Sequence, residues 1–381
     1  MTGTRIVRIL LVTVVALVSL GIVMLASTST VRGVDSHSDP LFFLKKQLVW
    51  LALATVAALV LARFDYHLWQ DRRILVPLAI GTVVMLVAVL VPGIRREIGG
   101  SYRWLRLGPL SFQPSEFAKL VVVVAMAAWI EHVRHGIGDW KKGLLPALGG
   151  LGVVTALVLL EPDYGTTVLV GLVGGLVLLA GGARFWQLFL AGALAAAVII
   201  GGLRTDPVRW KRVEAFFDDK NYPTAAHQTE QSKVAFRNGG LFGVGLGRSI
   251  QKQHYLPEAH TDFILAIIGE ELGFFASIGV LLLFSVIVVC GLTVAMHAPD
   301  IFGRLLSFGF SMLIGLQVVF NVAVVTDCLP NKGLPLPFIS YGGSSMLVSL
   351  GAVAILMNVA LHCGEKRDRH TEPIKDRVHR V

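Results

Sequence analysis

A chain of 381 residues, 54% hydrophobic and 15% charged with a mean hydropathy of +0.70, is too apolar for an ordinary water-soluble domain, in which about a quarter of residues are charged. Its net charge of +9 does not argue for nucleic acid, because the basic residues sit in short segments between apolar runs and in the C-terminal tail, where anionic lipid or an anionic substrate suits them better. Cys290, Cys328 and Cys363 show neither paired spacing nor a metal motif, which argues against a disulfide framework.

Ten runs approach the roughly 20 apolar residues that a spanning helix needs: 6–26, 44–62, 74–92, 116–133, 143–160, 164–182, 185–203, 262–294, 302–326 and 342–362. The first is read as an uncleaved helix, since it is long for a signal segment and lacks a small-x-small cleavage site. The expected fold is an all-α polytopic integral membrane protein. One ten-helix domain covers 1–362, a large outer loop of about 204–261 lies between the seventh and eighth helices, and a basic tail fills 363–381. Ten spans leave both termini on one side, and the Lys and Arg residues of the tail mark that side as cytoplasmic. Against this preference, Arg95, Arg96, Arg103 and Arg106 fall on a short outer loop. They are either solvated charges or a cationic surface for an anionic, lipid-attached substrate.

Five stretches carry polar groups near the ends of these runs. In "SFQPSEFAKL", residues 111–120, Pro114 suits a helix start, and Glu116 and Lys119 share a helix face as a local ion pair or as part of a site. In "EPDYGTT", residues 161–167, Asp163 is placed to cap the sixth helix. The stretch "HQTEQSKVAFRNGGLFGVGLGRS", residues 227–249, lacks the strand and lysine of a nucleotide loop and reads as a flexible loop or a surface amphipathic helix followed by glycine turns. In "LPEAHTDFILAIIGEELG", residues 256–273, Thr261 or Asp262 suits an N-cap, while Glu270 and Glu271 lie roughly 12 to 13.5 Å further along a helix, where a cation from a neighbouring helix would pair them. In "LPNKGLPLPFISYGGSS", residues 329–345, three prolines and three glycines break any helix, and irregular backbone at membrane depth must be buried or line a cavity. One carboxylate among cations is compatible with transfer from a lipid pyrophosphate, without selecting it: the carboxylate would take a proton from an acceptor hydroxyl, and cations or a divalent metal would hold the phosphates.

Together, in this order, the five stretches resemble the SEDS family of bacterial peptidoglycan glycosyltransferases, whose members include RodA and FtsW, over nearly the whole chain. The resemblance implies polymerisation of lipid II into a β-1,4 glycan at the outer face of the cytoplasmic membrane. It gives Asp262 the place of the family's essential aspartate, as general base. Arg103, Glu116, Lys119, Asp163 and Lys332 match polar positions of the family, and Gln231, Lys233 and Ser344 complete the expected substrate-binding set. Lys332 within "LPNKG" is an FtsW-like feature. A divalent cation, Mg or Mn, would have Asp262 and Glu116 as its candidate ligands. The implied partners are a class B penicillin-binding protein, which is a transpeptidase, and other division or elongation proteins. Two rivals are a lipid II flippase, which would place its polar groups near the midplane between repeats, and a scaffold for the division or elongation complex, which leaves the clustered charges without a use.

Overall fold

A computed structural model describes residues 3–92, 95–98, 101–107, 110–205, 210–211, 213–214, 216, 223–253, 255–330 and 333–363. Its helices are α1 (Gly3–His37), α2 (Phe42–Arg63), α3 (Arg72–Leu90), α4 (Pro114–Val133), α5 (Leu145–Leu160), α6 (Tyr164–Ala180), α7 (Phe185–Thr205), α8 (Pro223–Gly239), α9 (Ile264–His297), α10 (Ile301–Val325) and α11 (Gly343–His362). Helices cover all ten expected runs, with ends within three residues of expectation except that α1 continues to His37. Eight described helices are long and apolar enough to cross a membrane, so the chain is a multi-pass helical membrane protein. Outside that set stand α4, which carries Glu116 and Lys119, and α6, apolar but 17 residues long.

Acidic caps fix several helix starts. Asp71 accepts from Arg73 N, Asp163 from Thr166 N and Asp300 from Gly303 N, each satisfying an N–H that the first turn leaves open. The centre of the bundle is α4, α6, α10 and α11, with α2 against α11 and α8 against α9. Lipid tails are as apolar as leucine, so close fit rather than burial from water holds such helices together. Gly309 of α10 shows that fit: a Cβ there would stand 2.5 Å from Val123 of α4 and 2.9 Å from Val177 of α6. By contrast α7 exposes Phe185, Trp186, Phe189, Leu190, Leu194 and Val198, as suits a helix facing lipid.

Two features depart from expectation. The short loop after α3 is an antiparallel sheet of β1 (Arg95–Ile98), β2 (Ser101–Leu107) and β3 (Leu110–Phe112), with β2 in the middle. Ile98, Tyr102, Trp104 and Phe112 are its strand-favouring residues, scattered among arginines and leucines, so pairing adds to local preference in making these strands. The side chains of Arg95, Arg96 and Arg106 on this sheet lie outside the described ones. The second feature is α9, which is not one span. Gly273 has φ 84° and ψ −176°, and a Cβ on Gly269 would lie 3.4 Å from Ser277 Oγ, eight residues on. Eight residues of straight helix cover about 12 Å, so 264–272 folds back sharply on 274–297. The longer part, at 1.5 Å per residue, is about 36 Å long and suffices by itself to cross a bilayer.

The long loop contains α8 and then turns through Gly240, Gly243, Gly245 and Gly247, all with positive φ. The helix-then-glycine pattern matches expectation, but α8 is docked on protein: Ser232 and Ala235 are buried, and Ser232 Oγ donates to Val325 O at 2.7 Å. Residues 333–342 are the expected irregular segment. Leu334, Leu336, Phe338 and Ile339 bury it, and it packs on α1 where Gly21 meets Ile339. The basic tail beyond Cys363 lies outside the described residues.

Candidate active site

The polar groups gather at the end of the bundle where α10 finishes and α11 begins. Asp262 is partly buried and does not cap α9, contrary to the expectation for Thr261 or Asp262: the helix starts at Ile264, with Phe263 at the cap position and no side-chain cap bond. The backbone around Asp262 is held by the irregular segment and α10. The carbonyls of three consecutive residues each accept a hydrogen bond: His260 from Tyr341 N at 2.9 Å, Thr261 from Ser340 Oγ at 2.6 Å, and Asp262 from Asn321 Nδ2 at 2.8 Å. Ser340 is itself fixed, since its Oγ accepts from Leu336 N at 2.8 Å. The carboxylate of Asp262 lies over Gly333, where a Cβ would come within 3.1 Å of Oδ2. The irregular segment therefore serves as the seat of Asp262. Its neighbour Lys332 lies outside the described residues.

Glu116 and Lys119, one turn apart on α4, pair at 2.7 Å with both side chains buried. Lys119 also donates to Gln317 Oε1 at 3.2 Å, and Gln317 donates to Pro335 O at 2.8 Å. Among the described residues Glu116 Oε2 meets no hydrogen-bond donor. A second cluster stands beside the first. Arg103 on β2 donates to Glu161 O at 3.2 Å and Pro162 O at 2.5 Å and pairs with Asp163 at 3.4 Å. Asp163 caps α6 and accepts from Gln113 Nε2 at 3.4 Å, and Gln113 N donates to Ser344 Oγ at 2.9 Å. Arg103, Asp163 and Ser344 are thus joined through Gln113. Lys233 on α8 pairs with Asp327 at 2.6 Å, beyond the end of α10, and Gln231 is partly buried two residues before it.

Glu270 and Glu271 belong to a different task. Glu271 meets Lys252 Nζ at 2.7 Å and Ser27 Oγ at 2.8 Å, while Glu270 accepts from Ser249, Asn238 and the backbone of Gln251. The cation is supplied by the long loop and not by a neighbouring helix, so these carboxylates anchor the loop over the break in α9. Gln317, Asn321, Gln113 and Ser340 carry no charge, and sequence reasoning passed over them. The signal for two of them was there: Gln317 and Asn321 are amides inside an apolar span, spaced to share a face.

The donor set does not fit a resident divalent cation. Among the described residues no three His, Cys, Asp or Glu side chains gather, whereas Mg²⁺ demands near-octahedral oxygens. Glu116, one of the two candidate ligands, already carries the ammonium of Lys119.

Fold and site define a multi-pass helical membrane protein whose buried charges cluster at one end of the bundle. The family model described as cell cycle protein, which covers FtsW, RodA and SpoVE, matches residues 8–365, and the chain belongs to this family. It is 43% identical to the probable peptidoglycan glycosyltransferase FtsW of Trichlorobacter lovleyi, over 92% of each chain. It is 37% identical to the stage V sporulation protein E of Bacillus subtilis, over 92% of this chain and 96% of the relative. Among solved structures it resembles a chain from a study of how a peptidoglycan synthase complex coordinates polymerization and crosslinking, with a TM-score of 0.73 and 30% identity over 92% of this chain and 96% of that one. It also resembles RodA of Thermus thermophilus, with a TM-score of 0.68 and 29% identity over 93% and 96% of the two chains.

Proposed function

We propose that the chain is a peptidoglycan glycosyltransferase, FtsW-like within its family, that polymerises lipid II into β-1,4 glycan. The reading places it in the bacterial cytoplasmic membrane with ten spans, both termini inside and the Asp262 end outside. The observation that carries it is the seating of Asp262. The backbone of a single aspartate is fixed through three consecutive carbonyls and tied, through Asn321 and Gln317 one turn apart on α10, to a buried Lys–Glu pair. Asp262 takes the proton from the acceptor sugar's 4-hydroxyl as that oxygen attacks the donor's anomeric carbon with inversion. The bond to the lipid pyrophosphate breaks, and the pyrophosphate leaves with the bonding electron pair. Arg103, Lys119 and Lys332 lower the cost of its charge. Glu116 sets Lys119, Asp163 sets Arg103, and Gln231, Lys233 and Ser344 line the approach. A Mg²⁺ or Mn²⁺ would come with the donor's phosphates and meet Asp262 as its one protein carboxylate. The transpeptidase partner is a class B penicillin-binding protein, and other division or elongation proteins join the assembly.

The test is in vitro polymerisation. Purified protein with its transpeptidase partner receives lipid II in liposomes, and products are resolved on a gel. A glycan ladder from wild type and none from folded Asp262→Asn supports the reading. No ladder from folded, partner-bound wild type sinks it.

A further inference from the structure

Glu161 follows α5 in the turn before α6, and it differs from every other buried acid at this end. The residue is 1% exposed, and among the described residues neither carboxyl oxygen meets a hydrogen-bond donor. Arg103 reaches the backbone oxygen of this same residue, yet it turns two more of its five N–H groups to Pro162 O and Asp163 and none to the Glu161 carboxyl. A buried carboxylate with no hydrogen-bond donor among the described residues is expensive to ionise, which favours its protonated form. Burial, followed by the charge of Asp163, pushes its carboxyl up to about 8, against the opposing pull of Arg103. The inventory of facing groups is short among the described residues. Strand β2 brings Arg103 and α6 brings Asp163. From α4 come Glu116 and Lys119, tied to each other. The parts of α3 and α5 packed there carry no charge, since the only charged residues of α3 are Arg72 and Arg73 at its opposite end.

We propose that Glu161 is a proton-holding residue of a pyrophosphate subsite centred on Arg103. While Glu161 is neutral, Arg103 and Asp163 balance and the guanidinium still has donors to offer a phosphate. Once Glu161 ionises, the same turn carries a net negative charge and repels the phosphates. Binding a pyrophosphate and protonating Glu161 therefore favour each other, and above the carboxyl's titration range the ligand must bring a proton in with it. This rests on the reading of Arg103 as a phosphate-holding residue.

The experiment measures KM for the lipid-linked donor and kcat from pH 6.5 to 9.5. In wild type, KM rises about tenfold through pH 8, the size expected for one added charge a few ångströms away in a partly shielded site, and kcat does not follow it. In Glu161→Gln, which cannot ionise, KM is flat over the same range. A Glu161→Gln profile as steep as wild type overturns the inference. If that variant does not fold, wild type alone decides: calorimetry with inorganic pyrophosphate at pH 8.5, in buffers of different ionisation enthalpy, detects proton uptake on binding, and no uptake overturns the inference. Arg103→Gln separates the two readings. Unchanged donor KM in that variant removes Arg103 from the phosphate subsite and with it the basis for Glu161, whereas a raised KM beside a steep Glu161→Gln profile leaves Arg103 in place and removes Glu161 alone.

Discussion

Gln317 and Asn321 stand one turn apart on the same face of α10, and their side-chain amides donate to adjoining carbonyls of the irregular segment, Pro335 at 2.8 Å and Leu334 at 2.9 Å. With its other end Gln317 accepts from Lys119, and Asn321 donates a second time, to Asp262 O. The spacing between the buried ion pair and the aspartate's backbone is thus set by one turn of helix, about 5 to 6 Å. Replacing Asn321 by Leu takes this donor from the buried carbonyl of Leu334, at about 1–3 kcal/mol, and from the partly buried carbonyl of Asp262. Asn321→Leu is expected to lose activity by about one to two orders of magnitude through kcat, with a smaller change in KM, because a misplaced base fails in the reaction rather than in binding. Steady-state kinetics on detergent-purified protein, beside a melting curve, checks this. A fall in Tm with kcat intact would make Asn321 a packing residue only.

The ion pair of Glu116 and Lys119 allows stability to be separated from activity. Lys119→Met leaves a buried carboxylate without its cation, a loss of about 3–5 kcal/mol, whereas removing both charges is often close to neutral. Thermal unfolding is therefore expected to show a large drop for Lys119→Met and recovery in the double variant Glu116→Gln with Lys119→Met. Polymerisation stays lost in both, because the charge that meets the departing phosphates is gone in each. A double variant that regains activity along with stability would leave the pair structural.

Helix positions were legible because ten apolar runs of spanning length have few other fates. Asp163 was legible as a cap, and Asp262 and the Glu116–Lys119 pair stood out as charges at the ends of apolar runs. Partners were not legible. That Lys252 meets Glu271, 19 residues away in sequence, depends on the fold-back at Gly273, and no local pattern announces such a reversal inside an apolar run. The sheet over 95–112 was missed because its strand-favouring residues, Ile98, Tyr102, Trp104 and Phe112, are scattered and give no clean alternation. Arg103 was found as a cation on an outer loop, but its use in wrapping the turn at 161–163 depends on that sheet.

His260 gives a pH prediction. Its ring lies 4.9 Å from that of Phe43 and 5.8 Å from that of Tyr341, two residues before Asp262. Burial lowers its imidazole to about 4, with Glu258 pulling upward and Arg32 adding to the lowering. The folded protein therefore keeps His260 neutral while the unfolded chain, near 6.5, takes up the proton. Stability is full above pH 6.5 and falls as pH drops toward 4, since the unfolded state binds more protons in that window. Replacing His260 by Phe keeps the tilted ring contacts and removes the titration. Its Tm is expected to decline less than that of wild type between pH 6.5 and 4.5, and parallel declines would place the acid sensitivity elsewhere.

The fold-back in α9 makes the sharpest structural prediction, because two glycines of one helix should respond in opposite directions. At Gly273, φ is 84° and ψ −176°, a conformation that is essentially glycine's own. A Cβ there would stand 2.4 Å from Gly243 N and 2.5 Å from Leu241 O, both backbone atoms that cannot rotate away. Strain of about 1–3 kcal/mol adds to that collision, and the same contacts hold the loop that Glu270 and Glu271 anchor through Ser249 and Lys252. Six residues on, Gly279 has ordinary helical backbone and nothing within 4 Å of a new Cβ. There alanine replaces a residue about 0.8–1 kcal/mol poorer in helix propensity. Gly273→Ala is therefore expected to lower Tm strongly and to raise proteolysis in residues 240–252, while Gly279→Ala leaves the loop protected and Tm unchanged or higher. Similar, small effects for the two variants would mean that α9 runs straight through Gly273, and the loop would then need some other anchor than the fold-back.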